Sequence, residues 1–228
     1  MVATGTSNYP APSGGPVSLR VWGKLACFTR PEFGAERVSY PMMTPSAAVG
    51  VLDAIYWKPQ FRWRIVAIDV VSKGRTFVMR RNEIGSRQSE VTARRWQETG
   101  ERYDAAEDRQ QRSTMVLSDV AYVVHAHCEV FPGVGDNQAK HRDQLRRRVA
   151  LGQCHERPYL GCREFAADFS ELDPSERPVD WTEDFGLMLR QVYPADAAPA
   201  PSGGRADPRF FRARVEHGRL VVPYTKEP

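Results

Sequence analysis

Short segments in which apolar and polar residues alternate constrain the fold of this chain most. Leu19 and Val21 are two positions apart, as are Leu25 and Cys27. Such a period of two is typical of a strand with one buried face. The segment from Phe61 to Val71 shows the same alternation, and Met115 to Val130 has the pattern of a long strand. Each of these strands needs a helix or a second sheet to cover its apolar face.

Two segments have the sequence signals of such helices. Thr44 precedes Pro45, the usual order of an N-cap and a first helical residue. Apolar residues then recur at helical spacing until Pro59 ends the segment. The segment from Asp136 to about Gly152 is rich in basic residues and predicts a second, basic helix.

With a further strand predicted from Tyr159 to Phe169, the order of elements is β-α-β-(insertion)-β-α-β. This order predicts an α+β fold, a ferredoxin-like or RRM-like βαββαβ domain over residues 17–172, in which two helices cover one face of an antiparallel sheet. The insertion, about residues 73–113, is polar and rich in arginine. We predict a hairpin and a mobile loop there.

The two ends of the chain differ from this central part. Residues 1–16 are rich in Pro, Gly, Ser and Thr without periodicity, which predicts a disordered tail. Residues 173–228 predict a small C-terminal module, a three-stranded antiparallel β-sheet. Its predicted parts are strands from Trp181 to Tyr193, Phe210 to Val215 and Leu220 to Tyr224, a loop from Pro194 to Pro208 and a turn at His217-Gly218.

Composition limits the location and the redox chemistry. No apolar run approaches the roughly 18 residues of a membrane span, and the N-terminus lacks the order of a secretory signal. We therefore expect a cytoplasmic protein without membrane contact. The four cysteines are scattered without a Cys-x-x-Cys pair, which argues against a disulfide framework and against a structural zinc site.

The positive charge of the chain comes mainly from arginine. Of 32 basic residues only five are lysines, and the planar guanidinium group suits bidentate contacts with phosphates. A genome rich in G and C also increases arginine content, so clustering is the better indication. The clusters, which are consistent with a polyanionic partner, are Arg80-Arg81, Arg94-Arg95, Arg109 to Arg112 and Arg146 to Arg148.

Lys140-His141 lies in the basic helix segment. An imidazole can move a proton near neutral pH, and an adjacent ammonium can stabilise charge that develops on a phosphate. This pair can support RNA cleavage without a metal, although two polar residues on a solvated basic face is the simpler interpretation.

His125, His127 and Glu129 share one face of the predicted long strand and form a competing metal-ligand pattern. Successive side chains on that face lie about 7 Å apart, too far to close around one ion without ligands from elsewhere. We therefore expect no metal site here. The favoured interpretation is that these three are polar residues on an RNA-facing or interface side of the sheet.

Six short motifs together resemble one known family, the CRISPR-associated repeat-processing endoribonucleases of subtype I-C systems, the d branch of the fifth Cas family. The resemblance extends from about Val17 to Val222, with the motifs in the family's order. The motifs are Tyr56-Trp57-Lys58-Pro59, Arg80-Arg81-Asn82-Glu83, Asp108-Arg109-Gln110-Gln111-Arg112, Asp119-Val120-Ala121-Tyr122, Lys140-His141 and Tyr159-Leu160-Gly161-Cys162-Arg163-Glu164-Phe165.

The resemblance implies a site and an activity. The family's catalytic tyrosine, lysine and histidine correspond to Tyr56, Lys140 and His141. Family members cleave CRISPR precursor RNA at the base of the repeat hairpin and then hold the 5′ handle of the mature guide RNA inside the surveillance complex. The arginines that we expect to hold RNA phosphates are Arg80, Arg81, Arg109 and Arg112 in the insertion, and Arg146 and Arg147 in the basic helix.

The expected reaction needs no metal and no other cofactor, because the 2′-hydroxyl of RNA is its own nucleophile. Attack on the adjacent phosphorus expels the 5′-oxygen and leaves a 2′,3′-cyclic phosphate and a 5′-hydroxyl. The implied partners are the large subunit and the repeating backbone subunit of the type I-C surveillance complex, with target DNA contacted indirectly. The alternative function is a non-catalytic subunit that caps the guide-RNA handle.

Overall fold

The computed structural model describes residues 14–33, 36–86, 89–131, 133, 135–193 and 207–224. Residues 1–13 of the predicted tail and residues 194–206 of the predicted C-terminal loop lie outside this part of the chain. None of the described helices has the length and apolar character that crossing a bilayer requires.

Twelve helices and strands make up the described fold, and three of them are helices. In chain order they are β1 Val17–Ala26, β2 Arg37–Val38, α1 Pro45–Ile55, β3 Phe61–Ser72, β4 Arg75–Ile84, α2 Glu90–Thr99, β5 Arg109–Val130, α3 Gln138–Ala150, β6 Asp168–Ser170, β7 Glu183–Tyr193, β8 Asp207–Glu216 and β9 Arg219–Val221.

The described strands form one mostly antiparallel sheet in the order β6-β1-β5-β3-β9-β8-β7. Strand β5 is the longest and also pairs with β4 and, in parallel, with β2. The alternation predicted for the first strands is confirmed, because Val17, Leu19 and Val21 of β1 are buried and the residues between them are less so.

Helices α1 and α3 cover one face of the sheet. Helix α1 begins as predicted, since the Thr44 hydroxyl accepts a hydrogen bond from the Ala47 amide at 3.2 Å and Pro45 is the first helical residue. Such a cap stabilises a helix by about 1 kcal/mol. Leu52 and Ile55 of α1 and Leu145 of α3 belong to the same buried core as the apolar face of the sheet.

The predicted insertion is more ordered than we expected. Strand β4 pairs with Arg109–Ser118, so β5 begins six residues before the predicted Met115. Strands β3 and β4 pair with successive parts of β5 and are separated only at Lys73-Gly74. Gly74 has φ +70°, and a Cβ there would collide with the Ser118 carbonyl oxygen. We call β4, α2 and residues 109–118 of β5 the arm.

The strand predicted from Tyr159 to Phe169 is wrong over most of its length. Only Asp168–Ser170 forms a strand, whereas Tyr159 and Ala166 make an isolated bridge across a turn. The cause is Gly161, whose φ is +83° and whose Cβ, if present, would collide with the Cys27 carbonyl oxygen. Gly161 therefore lies close against the backbone of Cys27.

The three C-terminal strands are present, and His217-Gly218 forms the predicted turn, with positive φ at both residues. Strand β9 also pairs with β3, so these strands continue the main sheet instead of forming a sheet of their own. Asp69 of β3 accepts two hydrogen bonds from the guanidinium group of Arg219 in β9, at 2.5 and 2.7 Å. The division of the chain at residue 173 stays a prediction.

Candidate active site

Tyr56 and His141 meet although 85 residues separate them in the chain. Tyr56 follows the last residue of α1 and is its C-cap, and His141 lies in the first turns of α3. The Tyr56 hydroxyl oxygen and His141 Nδ1 are 2.9 Å apart, which is a hydrogen-bond distance. Both residues are buried, with 5% and 1% of their surfaces exposed. Because it is buried, the imidazole can exchange protons only through the groups that are hydrogen-bonded to its two nitrogens.

Asp136 occupies the other side of the imidazole. Its Oδ2 lies 2.9 Å from His141 Nε2, and its Oδ1 accepts hydrogen bonds from the Asn137 amide at 2.8 Å and from Lys140 Nζ at 3.4 Å. The Asn137 amide, followed by His141 and Lys140, lowers the pKa of Asp136 below its ordinary value. The carboxylate is thus ionised near neutral pH and contacts both Lys140 and His141.

Aromatic and cationic groups complete the surroundings of Tyr56. The ring of Phe61 stacks on Tyr56 at 5.6 Å and lies 4.4 Å from the imidazole of His141. The Arg148 guanidinium donates to the Ile55 carbonyl at 2.6 Å and lies 5.2 Å from the centre of the Tyr56 ring. Burial is the main influence on Tyr56 and raises its pKa, which Arg148 only partly offsets. Tyr56 is therefore a neutral phenol near pH 7.

Lys140 is the surface group of this cluster. Its side chain is 67% exposed, whereas that of His141 is 2% exposed. An exposed ammonium beside a buried imidazole can contact a phosphate at the surface and leave proton transfer to groups beneath it. The structure therefore brings the three predicted catalytic residues together, with only Lys140 open to a large ligand.

The four predicted RNA-binding arginines of the insertion lie on two faces of the arm. Arg80 and Ile84 lie on the same face of β4, and Arg109 pairs directly with Ile84, so Arg80 and Arg109 share one face of the arm. Both are exposed. Arg81 and Arg112 are direct partners across the strands and lie on the opposite face. There Arg81 forms an ion pair with Glu164, and Arg112 Nε lies 3.6 Å from Glu83.

The arm arginines lie far along β5 from the Tyr56–His141 pair. Residues 121–130 of β5 pair with β3 near that pair, whereas residues 109–118 pair with β4. At about 3.3 Å per residue, the contour from Arg112 to Cys128 is about 50 Å. Arg146 and Arg147 are exposed and lie on α3 within two turns of His141. The structure thus groups the six arginines into two separate regions.

The competing metal pattern does not form a metal site. His125 uses Nδ1 with Ser18 at 2.7 Å and Nε2 with Asp69 at 2.9 Å. Glu129 instead forms ion pairs with Arg62 and Arg64. In the part of the chain that the structure describes, no group of three or more His, Cys, Asp or Glu residues is arranged to hold a metal ion.

Sequence reasoning missed Asp136 and Arg148 as parts of the site. Asp136 was only the predicted beginning of a helix, but its position one residue before the Asn137 N-cap places its carboxylate beside the first helical turn. An acidic residue directly before a helix that carries Lys-His in its first turns is a usable signal. Arg148 gave no such signal, because its contact with Ile55 depends on how α1 and α3 pack.

Solved structures share this fold. One, a crystal structure of a CRISPR-associated protein, has a TM-score of 0.63 and 21% identity, and the match covers 92% of each chain. Another, the functionally uncharacterized protein SMU1763c from Streptococcus mutans, has a TM-score of 0.61 and 22% identity, again over 92% of each chain. The fold is thus one that occurs in a CRISPR-associated protein.

Sequence comparison gives the family. The Cas5d family model, described as CRISPR-associated protein (Cas_Cas5), matches residues 17–223. A protein of Thermus thermophilus named CRISPR pre-crRNA endoribonuclease Cas5d is 40% identical over 221 residues, 92% of each chain. A protein of the same name from Mannheimia succiniciproducens is 40% identical over 220 residues, 91% of this chain and 94% of its own. The chain belongs to the Cas5d family.

Proposed function

We propose that this chain is an endoribonuclease that cleaves CRISPR precursor RNA within the repeat and then stays bound to the 5′ handle of the guide. Two relatives that are 40% identical over more than nine-tenths of the chain are named pre-crRNA endoribonucleases. The observation that carries the proposal is the 2.9 Å contact between the Tyr56 hydroxyl and His141 Nδ1, with Lys140 adjacent in the chain.

The proposed chemistry is a metal-independent transesterification. The 2′-oxygen of RNA forms a bond to the adjacent phosphorus and the bond to the 5′-oxygen breaks, which gives a 2′,3′-cyclic phosphate and a 5′-hydroxyl. The proton of the 2′-hydroxyl passes to water, and the departing 5′-oxygen receives a proton from the enzyme. General acid catalysis of this kind contributes about 10²- to 10⁴-fold.

Each of the three residues has a role that fits its burial. His141 is the proton-transfer group, and its proton reaches the RNA through the Tyr56 hydroxyl, which is 2.9 Å from Nδ1. The raised pKa of Tyr56 argues against a preformed phenolate base. It favours a neutral phenol that relays the proton and orients the RNA. Lys140, with its exposed ammonium, stabilises the charge on the phosphate, and loss of one such donor commonly costs about 10²- to 10³-fold.

We further propose that β1, α1, β3, β5, α3 and β6 form a ferredoxin-like, or RRM-like, unit. The strand order β6-β1-β5-β3 with antiparallel neighbours supports this arrangement. In this proposal the RNA is cut on the helix side of the unit, where Lys140 is exposed. The cytoplasmic location and association with the large and backbone subunits of the type I-C surveillance complex complete the proposal.

A cleavage assay with the purified chain, a labelled repeat hairpin and EDTA tests the proposed function. We expect cleavage in EDTA, a 2′,3′-cyclic phosphate on the 5′ fragment, and no cleavage when the nucleotide 5′ of the scissile bond is 2′-deoxy. His141→Ala removes cleavage, whereas His155→Ala, a change at an exposed histidine, does not. Binding of the hairpin without cleavage by the wild-type chain supports the capping alternative instead, and cleavage that requires a metal contradicts the mechanism.

A further inference from the structure

We propose that Asp136 is a positioning residue that fixes which nitrogen of His141 works in catalysis. The inference rests on the proposed function, because it concerns the same imidazole. Asp136 contacts His141 Nε2 at 2.9 Å while Tyr56 contacts Nδ1 at the same distance. The two ring nitrogens therefore face two groups of different chemistry.

The carboxylate is held in place by its own backbone turn. Its Oδ1 accepts the Asn137 amide at 2.8 Å, and the Asn137 side chain in turn accepts the Ala139 amide at 2.8 Å as the N-cap of α3. His141 and Lys140 belong to the same first turns of that helix. A short segment of backbone thus fixes the carboxylate relative to both side chains.

Donor and acceptor requirements then select one tautomer of the imidazole. An ionised carboxylate can only accept hydrogen bonds, so the nitrogen that faces Asp136 must carry a hydrogen. In the neutral imidazole this leaves Nδ1 without a hydrogen and able to accept from the Tyr56 hydroxyl. When the ring is protonated, Nδ1 donates to the Tyr56 oxygen, and the phenol proton is free to pass to an RNA oxygen.

Burial makes this selection effective. The His141 side chain is 2% exposed and its ring is 4.4 Å from that of Phe61, so water cannot readily replace the carboxylate. Without the carboxylate, the ring is free to carry its hydrogen on Nδ1, where it can no longer accept from Tyr56. In Ser-His-Asp hydrolases the corresponding Asp→Asn change leaves the geometry intact and lowers kcat about 10⁴-fold because the wrong tautomer forms.

The test is Asp136→Asn in the full chain, with single-turnover cleavage of the repeat hairpin and ¹⁵N NMR of the imidazole nitrogens. We expect the cleavage rate to fall by about 10²-fold or more, with hairpin affinity changed less than about twofold. In the wild-type chain we expect the hydrogen on Nε2, and in the variant we expect a measurable population with the hydrogen on Nδ1. A purely structural role does not move the hydrogen between nitrogens.

A matched control is Asp180→Asn. The Asp180 carboxylate also contacts a histidine, His217, at 3.2 Å, but the Asp180 side chain is 93% exposed. Wild-type cleavage by Asp136→Asn, or an Nδ1–H tautomer in the wild-type chain, overturns the inference. The second measurement needs no variant, so it holds even where Asp136→Asn does not fold. Failure of the wild-type chain to cleave overturns the proposed function instead, and the NMR experiment still decides whether Asp136 sets the tautomer.

Discussion

Tyr56 and His141 are enclosed by protein, although the proposed substrate is a large RNA. Phe61 and Asp136 occupy two sides of the imidazole, and the ring of Tyr56 is stacked on Phe61. Under the proposed function, RNA approaches from the side of Lys140, the one strongly exposed member of the described cluster. Burial keeps water away from Tyr56 and His141, which strengthens the electrostatic interaction between them.

Replacement of Tyr56 by Phe tests the relay. The phenyl ring keeps its packing on Phe61, but no hydroxyl remains to hydrogen-bond with His141 Nδ1. We expect the rate of hairpin cleavage to fall by about 10²- to 10⁴-fold, with hairpin affinity retained. The buried nitrogen left without a partner costs about 1 to 3 kcal/mol of folding free energy. Single-turnover cleavage, gel-shift binding and urea unfolding measure the three quantities.

The control for this change is Tyr224→Phe, since Tyr224 is 37% exposed and its ring is contacted by Arg64. The relay is contradicted when Tyr56→Phe cleaves the hairpin as fast as Tyr224→Phe does.

The two faces of the arm hold their arginines differently. Arg80 and Arg109 are exposed, whereas Arg81 and Arg112 are held by Glu164 and Glu83. Ion pairs occupy the second pair of arginines before any RNA is present. The exposed face is thus the one that can take phosphates without first breaking internal contacts.

We predict that removal of the exposed arginine pair affects RNA binding more than it affects stability. Arg80→Ala with Arg109→Ala weakens hairpin binding and lowers the salt dependence of its affinity by about one unit of slope for each phosphate that is no longer bound. Unfolding free energy changes by less than about 0.5 kcal/mol, because both residues are on an exposed surface. Affinity titrations over a range of salt concentrations, together with urea unfolding, measure these effects.

A matched control replaces Arg212 and Arg214, two exposed arginines of β8, with Ala. If this control and the arm variant bind the hairpin equally, the arm does not hold the RNA.

Most of the elements that sequence reasoning identified have a buried face. The alternation in β1 and β3 and the cap of α1 are confirmed because burial and capping leave local patterns. Helix α2 was missed, although Ser89 caps its beginning and Gly100 has φ +72° at its end, because none of its residues is buried. The turn at Gly161 was missed because the contact that requires glycine there, with the Cys27 carbonyl, joins residues that are distant in the chain.

The candidate site was predictable only in part. Tyr56, Lys140 and His141 follow from the resemblance to the family, and the fold brings them together. Their roles in catalysis stay predictions. The importance of Asp136 depends on distances that only the folded chain defines.

At the scale of the whole molecule, Asp69 of β3 connects β5 to the C-terminal strand β9 within the one sheet. It contacts His125 of β5 and Arg219 of β9. Burial acts to raise the pKa of Asp69, but the hydrogen bonds from Arg219 and His125 outweigh it and lower the pKa to about 2. The ionised form is therefore favoured by folding.

We predict that Asp69→Asn lowers the unfolding free energy by about 2 kcal/mol near neutral pH. The folded pKa is below the unfolded value of about 3.9, so this stability is present above pH 4 and is lost as the pH falls towards 2. The difference between the wild type and the variant therefore narrows over that range. Urea unfolding at pH 7, 4 and 3 measures it, and Asp180→Asn is the control. A difference that is the same at all three values contradicts the prediction.

Strand β5 is one continuous stretch of 22 residues that carries the arm at one end and pairs near the Tyr56–His141 cluster at the other. Under the proposed function, and with RNA bound by the arm as predicted, the RNA-binding region and the cleavage site are joined by this single strand. The cleavage site then lies at a fixed distance from the nucleotides that the arm binds. In that case the span of β5, together with the sequence of the repeat, sets how many nucleotides the 5′ handle of the guide contains.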